Sequence, residues 1–344
     1  MLTIYSDLHR RHHGHAELID GQMKPCFEMP RRADMVLARV REVGLGAVRE
    51  PHRFGEDPVR RVHSTGFVDF LATAWQAWLA EGRTHDALPL VWPVRSLRGD
   101  RVPDYIDGKL GYYSLDAGVP ITAGTWEAVQ ASADVALSGA RALIDGAPAA
   151  FSLCRPPGHH AATAAMGGYC YLNNAAIAAQ YLIDQGHARV AILDVDYHHG
   201  NGTQEIFYTR RDVLFLSLHA DPRVEYPYFL GYADELGTGD GLGFTHNYPL
   251  AHGTEWTTYG PALDDACQKV EAFEPNALIV SLGVDTYEHD PISKFRLRTG
   301  DFTRIGARIA RLGCPTLFVM EGGYAVDDIG VNTVNVLSGF EAGR

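Results

Sequence analysis

Sulfur is scarce in this chain. Of its 344 residues five are cysteine, Cys26, Cys154, Cys170, Cys267 and Cys314. The number is odd and no Cys-x-x-Cys occurs, which argues against a disulfide framework and against a thiolate zinc site; reduced thiols fit a reducing compartment. Basic charge is short as well. Thirty Lys and Arg stand against 42 Asp and Glu, a formal net charge of −12. Nucleic acid needs a basic face and is not an expected partner. The acidic excess mildly favours a cationic one, within the reach that salt allows. No apolar run reaches bilayer length, and the opening Met1-Leu2-Thr3-Ile4-Tyr5-Ser6-Asp7 has no basic region leading into an apolar signal core. No membrane partner is expected, and a cytoplasmic location is. Internal repeats and low-complexity tracts are lacking too.

What is present is alternation. Hydrophobic residues make up 46% of the chain, enough for one large α/β domain spanning residues 1–344. Apolar runs at Leu2–Tyr5, Ala149–Leu153, Val190–Val195, Val213–Leu218, Ala277–Leu282 and Thr316–Met320 read as buried strands. Helical patterns cover Gly66–Leu79 behind a cap at Ser64, Thr125–Ile144 capped by Thr122 or Thr125, Asn174–Ile183, Trp256–Phe273 and Asp301–Leu312. Strands alternating with helices imply βαβ units, a largely parallel central sheet flanked by helices, and ligands beyond the carboxyl ends of the strands. One segment, Arg83 to Pro120, shows no period. It is rich in proline and aromatics, and reads as a functional loop insert.

Chemistry gathers after the strands. Asp194-Val195-Asp196-Tyr197-His198-His199-Gly200 ends one of them. Side chains two apart share a face, so Asp196 and His198 leave the strand together as an oxygen and a nitrogen ligand. Asp285 ends the run Ala277–Val284. Two carboxylates and one imidazole leave a divalent metal an open position, as catalytic sites do. Arg155-Pro156-Pro157-Gly158-His159-His160 follows a third strand and holds two imidazoles on a tight bend. Gly167-Gly168-Tyr169-Cys170-Tyr171-Leu172-Asn173-Asn174 is a glycine turn entering a helix, with Cys170 read as a small buried filler. Glu321-Gly322-Gly323-Tyr324 follows a fourth strand and can aim a phenol at the same place. Asp194 and Asn201 are candidate partners for the imidazoles. His9, His12, His13 and His15, beside Arg10 and Arg11, read as a polar loop.

In this order, these motifs resemble the arginase/deacetylase superfamily and, within it, the histone deacetylase-like zinc amidohydrolases. Glu17, Ile106-Asp107-Gly108 with Gly111-Tyr112-Tyr113, Ala123-Gly124-Thr125-Trp126-Glu127 and Tyr226-Pro227-Tyr228-Phe229-Leu230-Gly231-Tyr232 resemble its acetylpolyamine amidohydrolase branch. The resemblance implies one zinc ion held by Asp196, His198 and Asp285, with His159, His160 and Tyr324 catalytic. It implies a substrate tunnel at Gly168, Tyr169, Tyr226 and Ile292, and an acidic gate at Glu17 and Asp107. It implies structural potassium, at an inner site of Asp194, Asp196, His198, Ser217 and Leu218 and an outer one including Phe207, Arg210 and Val213. It also implies a homodimer built through the insert. The expected reaction is removal of acetyl from a small cationic acetylated amine, giving acetate and free amine. A protein lysine deacetylase, or an inactive binder of acylated amines, stands as the alternative.

Overall fold

The apolar runs become one parallel sheet in the computed structural model, which describes residues 1–19 and 21–344. β1 (Leu2–Ile4) opens the chain. β2 (Glu17–Ile19) and β3 (Gln22–Lys24) form a separate antiparallel hairpin. Then come β4 (Val48–Arg49), β5 (Ala149–Ser152), β6 (Val190–Asp194), β7 (Val213–Ala220), β8 (Thr245–Leu250), β9 (Ala277–Leu282) and β10 (Thr316–Met320). The main sheet has eight strands in the order β4-β1-β5-β10-β9-β6-β7-β8, and every pairing in it is parallel.

The helices are α1 (Arg31–Glu42), α2 (Asp57–Arg60), α3 (Thr65–Ala80), α4 (Ile106–Tyr112), α5 (Thr125–Ile144), α6 (Asn174–Asp184), α7 (Asn201–Phe207), α8 (Trp256–Phe273), α9 (Thr299–Ala310) and α10 (Ile329–Gly343). They cover both faces of the sheet. Val190 and Ile192 of β6 pack with α3, α5 and α6. Their neighbours Ala191 and Leu193 pack with α1, α8, α9 and α10. Successive residues of a strand thus serve opposite cores, which is why the central strands read as unbroken apolar runs.

All six expected strands form. β4 and β8 were not expected: β4 has two residues at the sheet edge, and β8 is half-buried and mixes polar with apolar residues. Helix α1 is rich in arginine and was missed, as was α10. Ser64 caps α3 as expected, its side chain accepting from the Phe67 N–H. α5 differs. Its cap is Gly124, and Thr125 Oγ1 instead accepts from Thr122 N at 2.8 Å. The polar-loop reading of the first histidines is also corrected. Asp7–Arg11 is a 3-10 helix, and His9 and His12 are buried.

The 83–120 segment contains α4 and is tied down at both ends. Ala87 and Ile121 exchange backbone hydrogen bonds of 2.9 and 3.0 Å at its base. Its returning limb lies along the glycine turn, through Leu115 N to Met166 O at 2.8 Å and Met166 N to Tyr113 O at 2.9 Å. No helix among the described residues is long and apolar enough to cross a membrane.

Candidate active site

The neighbouring strands β5, β10, β9 and β6 all run the same way, so the loops leaving their carboxyl ends meet on one rim. His159 and His160 come from the loop after β5, and Asp194, Asp196 and His198 from the end of β6. Asp285 follows β9 and Tyr324 follows β10. Each of these side chains is buried.

Two buried carboxyl groups tie the rim together. Glu28 receives both Nε and Nη2 of Arg155 at 2.8 Å and Nη1 of Arg32 at 2.9 Å. Arg155 begins the histidine loop, and its Nη1 also donates to the carbonyls of His9 and His12 at 2.6 and 2.9 Å. Arg32 donates to the carbonyls of Glu321 and Gly323, both at 2.6 Å, and so holds the Tyr324 loop. Burial alone would raise the Glu28 carboxyl, but the charges of Arg155 and Arg32 prevail and hold it at about 2. The second tie is Glu321, whose Oε2 accepts from the N–H groups of Gly158 and His159 at 2.7 and 3.1 Å. Neither Glu28 nor Arg32 was found from the sequence. They lie far from the motifs in the chain and carry no local pattern.

The two tandem imidazoles differ. His159 Nδ1 meets Asp194 Oδ2 at 2.9 Å, while His160 Nδ1 meets the amide oxygen of Asn201 at 2.7 Å. Burial works against charge on either ring. At His159 the carboxylates of Asp194 and Asp196 outweigh it and raise the imidazole to about 10. At His160 burial is reinforced by the neighbouring His159 and His198, which push it well below the ordinary value. An amide oxygen accepting from Nδ1–H leaves the His160 Nε2 lone pair free.

Asp196, His198 and Asp285 present ligand atoms all within 4.8 Å of one another. His198 Nδ1 lies 3.1 Å from Asp285 Oδ2 and 3.4 Å from Asp196 Oδ1. Burial and the adjacent Asp196 charge raise the Asp285 carboxyl to about 7. Two buried like charges beside one nitrogen call for a shared cation, and this O, O, N donor set fits a divalent metal. The backbone makes room for it. A Cβ at Gly322 would stand 2.5 Å from oxygens of both Asp196 and Asp285, so only glycine fits, and its N–H donates to Asp196 Oδ2 at 2.8 Å. His159, Cys170 and Glu321 also lie within 4.8 Å of one another. That group is a poorer metal site. Glu321 Oε2 and His159 Nδ1 are already bonded, and burial pushes the Cys170 thiol well above its ordinary value.

The other expected residues are placed as follows. Gly168 is in the left-handed region (φ 51°) against His160. Tyr169 packs on Tyr324 with ring centroids 5.6 Å apart. Tyr226 stands edge-on to His160 at 5.0 Å. Ile292 is half-buried beside Asp290, whose carboxylate accepts from the N–H groups of Ile292 and Tyr324 at 3.1 and 2.7 Å. Glu17 is only 3% exposed, accepts from Phe27 N at 2.6 Å, and lies within reach of the Tyr169 hydroxyl. Asp107 is paired with Arg83 at 2.5 and 2.9 Å, so much of its charge is already matched. Asp194 pairs in register with Ser217 across β6 and β7. Leu218 follows on β7, Phe207 ends α7, and Arg210, on the way to Val213, is paired with Asp212.

With this geometry in view, the class is plain: residues 26–340 match the histone deacetylase domain, and the chain belongs to that family of hydrolytic deacetylases. It is 66% identical over 341 residues to acetylpolyamine amidohydrolase 2 of Pseudomonas aeruginosa, covering 99% of both chains. It is 50% identical over 339 residues to the acetylpolyamine amidohydrolase of Mycoplana ramosa, covering 98% of this chain and 99% of that one. The crystal structure of acetylpolyamine aminohydrolase from Burkholderia pseudomallei superposes with a TM-score of 0.95 at 42% identity, over 100% of this chain and 99% of that one.

The histidine loop also depends on a neutral imidazole beneath it. His63 Nδ1–H donates to Ala162 O, and Nε2 accepts from Asn173 N, both at 2.9 Å. A protonated ring cannot accept that second bond, and burial lowers His63 to about 4. The unfolded chain therefore binds the extra proton first. Stability conferred by neutral His63 is complete above about 6.5 and is lost as pH falls towards 4, by roughly 3 kcal/mol in all. Thermal denaturation across this range should show a steep acid limb, which His63→Gln should flatten.

Proposed function

We propose that this protein is a zinc-dependent amidohydrolase that removes acetyl groups from small acetylated polyamines, releasing acetate and the free amine. The observation that carries the reading is the convergence of Asp196, His198 and Asp285 beside His160, whose ring Tyr226 meets edge-on. Those three residues would hold the zinc ion. When bound there, it supplies a lowered pKa to water and polarises the amide carbonyl.

The chain's own groups carry the protons. Neutral His160, oriented by Asn201, takes a proton from the attacking water and returns it to the leaving amine. His159, held by Asp194, adds positive charge beside the developing oxyanion. The Tyr324 hydroxyl donates to that oxyanion. Tyr169, Tyr226, Gly168 and Ile292 line the path of the substrate. Glu17 lies buried behind Tyr169 and Asp107 is tied to Arg83, so the acidic gate that the resemblance implies carries little free charge here, and selection rests on the width of the entrance. Asp194, Asp196, His198, Ser217 and Leu218, and at a second site Phe207, Arg210 and Val213, would hold potassium, whose charge would stiffen the ends of the ligand strands. The returning limb of the 83–120 insert narrows the entrance, which favours a slender amine over a protein lysine.

The same insert carries Leu90, 76% exposed, with Val91, Val94 and Leu97 exposed near it. A run of this kind supports a homodimer in which a second copy covers it. Five free cysteines accord with a cytoplasmic location.

The direct test compares acetylputrescine, acetylspermidine and an acetyl-lysine peptide on one zinc-loaded preparation, with Asp285→Ala alongside. The acetylated amines should have the higher kcat/KM, and the variant should lose both zinc and turnover. An Asp285→Ala protein with normal zinc and wild-type turnover overturns the assignment.

Tyr324→Phe should bind substrate normally and lose about 100- to 1,000-fold in kcat, because its hydrogen bond matters in the transition state. An elevated KM at unchanged kcat would make it a binding residue.

Sedimentation should show a dimer, and Leu90→Asp with Val94→Asp should give a folded monomer.

A further inference from the structure

The walls of the proposed tunnel come from different parts of the chain, and one carboxylate touches the loops that carry them. Asp116 sits on the returning limb of the insert. Its Oδ1 accepts from Gly118 N at 2.7 Å. Its Oδ2 accepts from Gly168 N at 2.9 Å and from the Tyr226 hydroxyl. Burial raises the Asp116 carboxyl, and those three donors offset only part of the rise. No cationic side chain among the described residues forms an ion pair with it. Two positions on, Gly118 O accepts from Tyr169 N at 3.0 Å. The stretch 116–118 therefore holds both wall tyrosines, one by its hydroxyl and the other by its backbone.

We propose that Asp116 is a positioning residue that latches Tyr226 inward and so sets the width of the entrance. The inference rests on Tyr169 and Tyr226 being walls of the substrate path. The ring of Tyr226 packs edge-on against His160 and His198, and the bond to Asp116 is the one that fixes its hydroxyl. Its ring stands at 87° to His160, 5.0 Å between centroids. The space there is tight, because a Cβ on Gly168 would come within 2.4 Å of His160 Cδ2 and 3.0 Å of the Tyr226 hydroxyl. A Tyr226 released from Asp116 can only swing outwards, and the entrance then admits bulkier acyl amines. Asp116 touches no reacting atom. It acts through a charge-assisted phenol–carboxylate bond, which phenylalanine at 226 cannot make.

Steady-state kinetics of Asp116→Ala, Asp116→Asn, Tyr226→Phe and the double variant Asp116→Ala/Tyr226→Phe test this, with acetylputrescine and an acetyl-lysine peptide as substrates. Asp116→Ala and Tyr226→Phe should each lower the preference for acetylputrescine about tenfold, chiefly through KM. The double variant should be no worse than either single one. Asp116→Asn keeps one acceptor oxygen but loses the charge and sets its NH2 against a backbone N–H, so it should fall between Asp116→Ala and wild type. Additive losses, or an unchanged preference in Tyr226→Phe, would each overturn the latch. Wild-type protein inactive on both substrates would instead overturn the proposed function. The latch would then be decided by the crystal structure of Asp116→Ala: a Tyr226 ring moved away from His160 supports it, and an unmoved ring overturns it.

Discussion

Burial of carboxylates at the rim of the sheet is the constraint on which this structure depends. Asp194, Asp196, Asp285, Glu28 and Glu321 are all buried, and each requires compensation. Glu28 finds it in two arginines, and Asp194 in His159. Glu321 has only backbone N–H groups on one oxygen and none on the other, and burial raises its carboxyl to about 7. Asp196 and Asp285 share the ring of His198, with backbone N–H groups of Gly322 and His198 on the first and of Tyr197 on the second. The charge they lack is what a divalent cation brings, so the same burial that costs the fold energy creates the affinity of the site. The helices and loops around it exclude water, and they thereby strengthen every interaction inside.

The tandem histidines illustrate how neighbours divide labour. They are adjacent in sequence, with ring centroids 4.0 Å apart, yet one faces a carboxylate and the other an amide. A carboxylate stabilises the charged ring and an amide does not. Asn201 therefore matters for being uncharged, since it orients His160 while leaving it free to take up a proton. The same pairing appears at two tyrosines of the rim, where buried Glu17 lies behind Tyr169 and Asp116 behind Tyr226.

The gathering of these side chains at one rim was legible in the sequence because each of the motifs directly follows an apolar strand, and parallel strands bring such ends together. Asp196 with His198 could be read from strand periodicity alone, and the meeting with Asp285 from the parallel sheet. The supporting groups were not legible. Glu28 and Arg155 are 127 positions apart, and Asp116 and Tyr226 are 110 apart; neither pair belongs to a local pattern. The first histidines misled for a related reason. Among arginines they look solvated, but the 3-10 helix turns His9 and His12 inwards beneath Arg155. β8 escaped because a half-buried edge strand mixes polar and apolar residues, and α4 because one short helix inside a proline-rich loop leaves no period.

The account stands on where the metal binds. Two buried groups could compete for it, Asp196 with His198 and Asp285, and His159 with Cys170 and Glu321. Crystals of the zinc-loaded protein, measured above and below the zinc absorption edge, separate them directly. One anomalous peak enclosed by Asp196, His198 and Asp285 is the predicted result. A peak at Cys170 and Glu321, or none at the aspartates in a protein that turns over substrate, would contradict it.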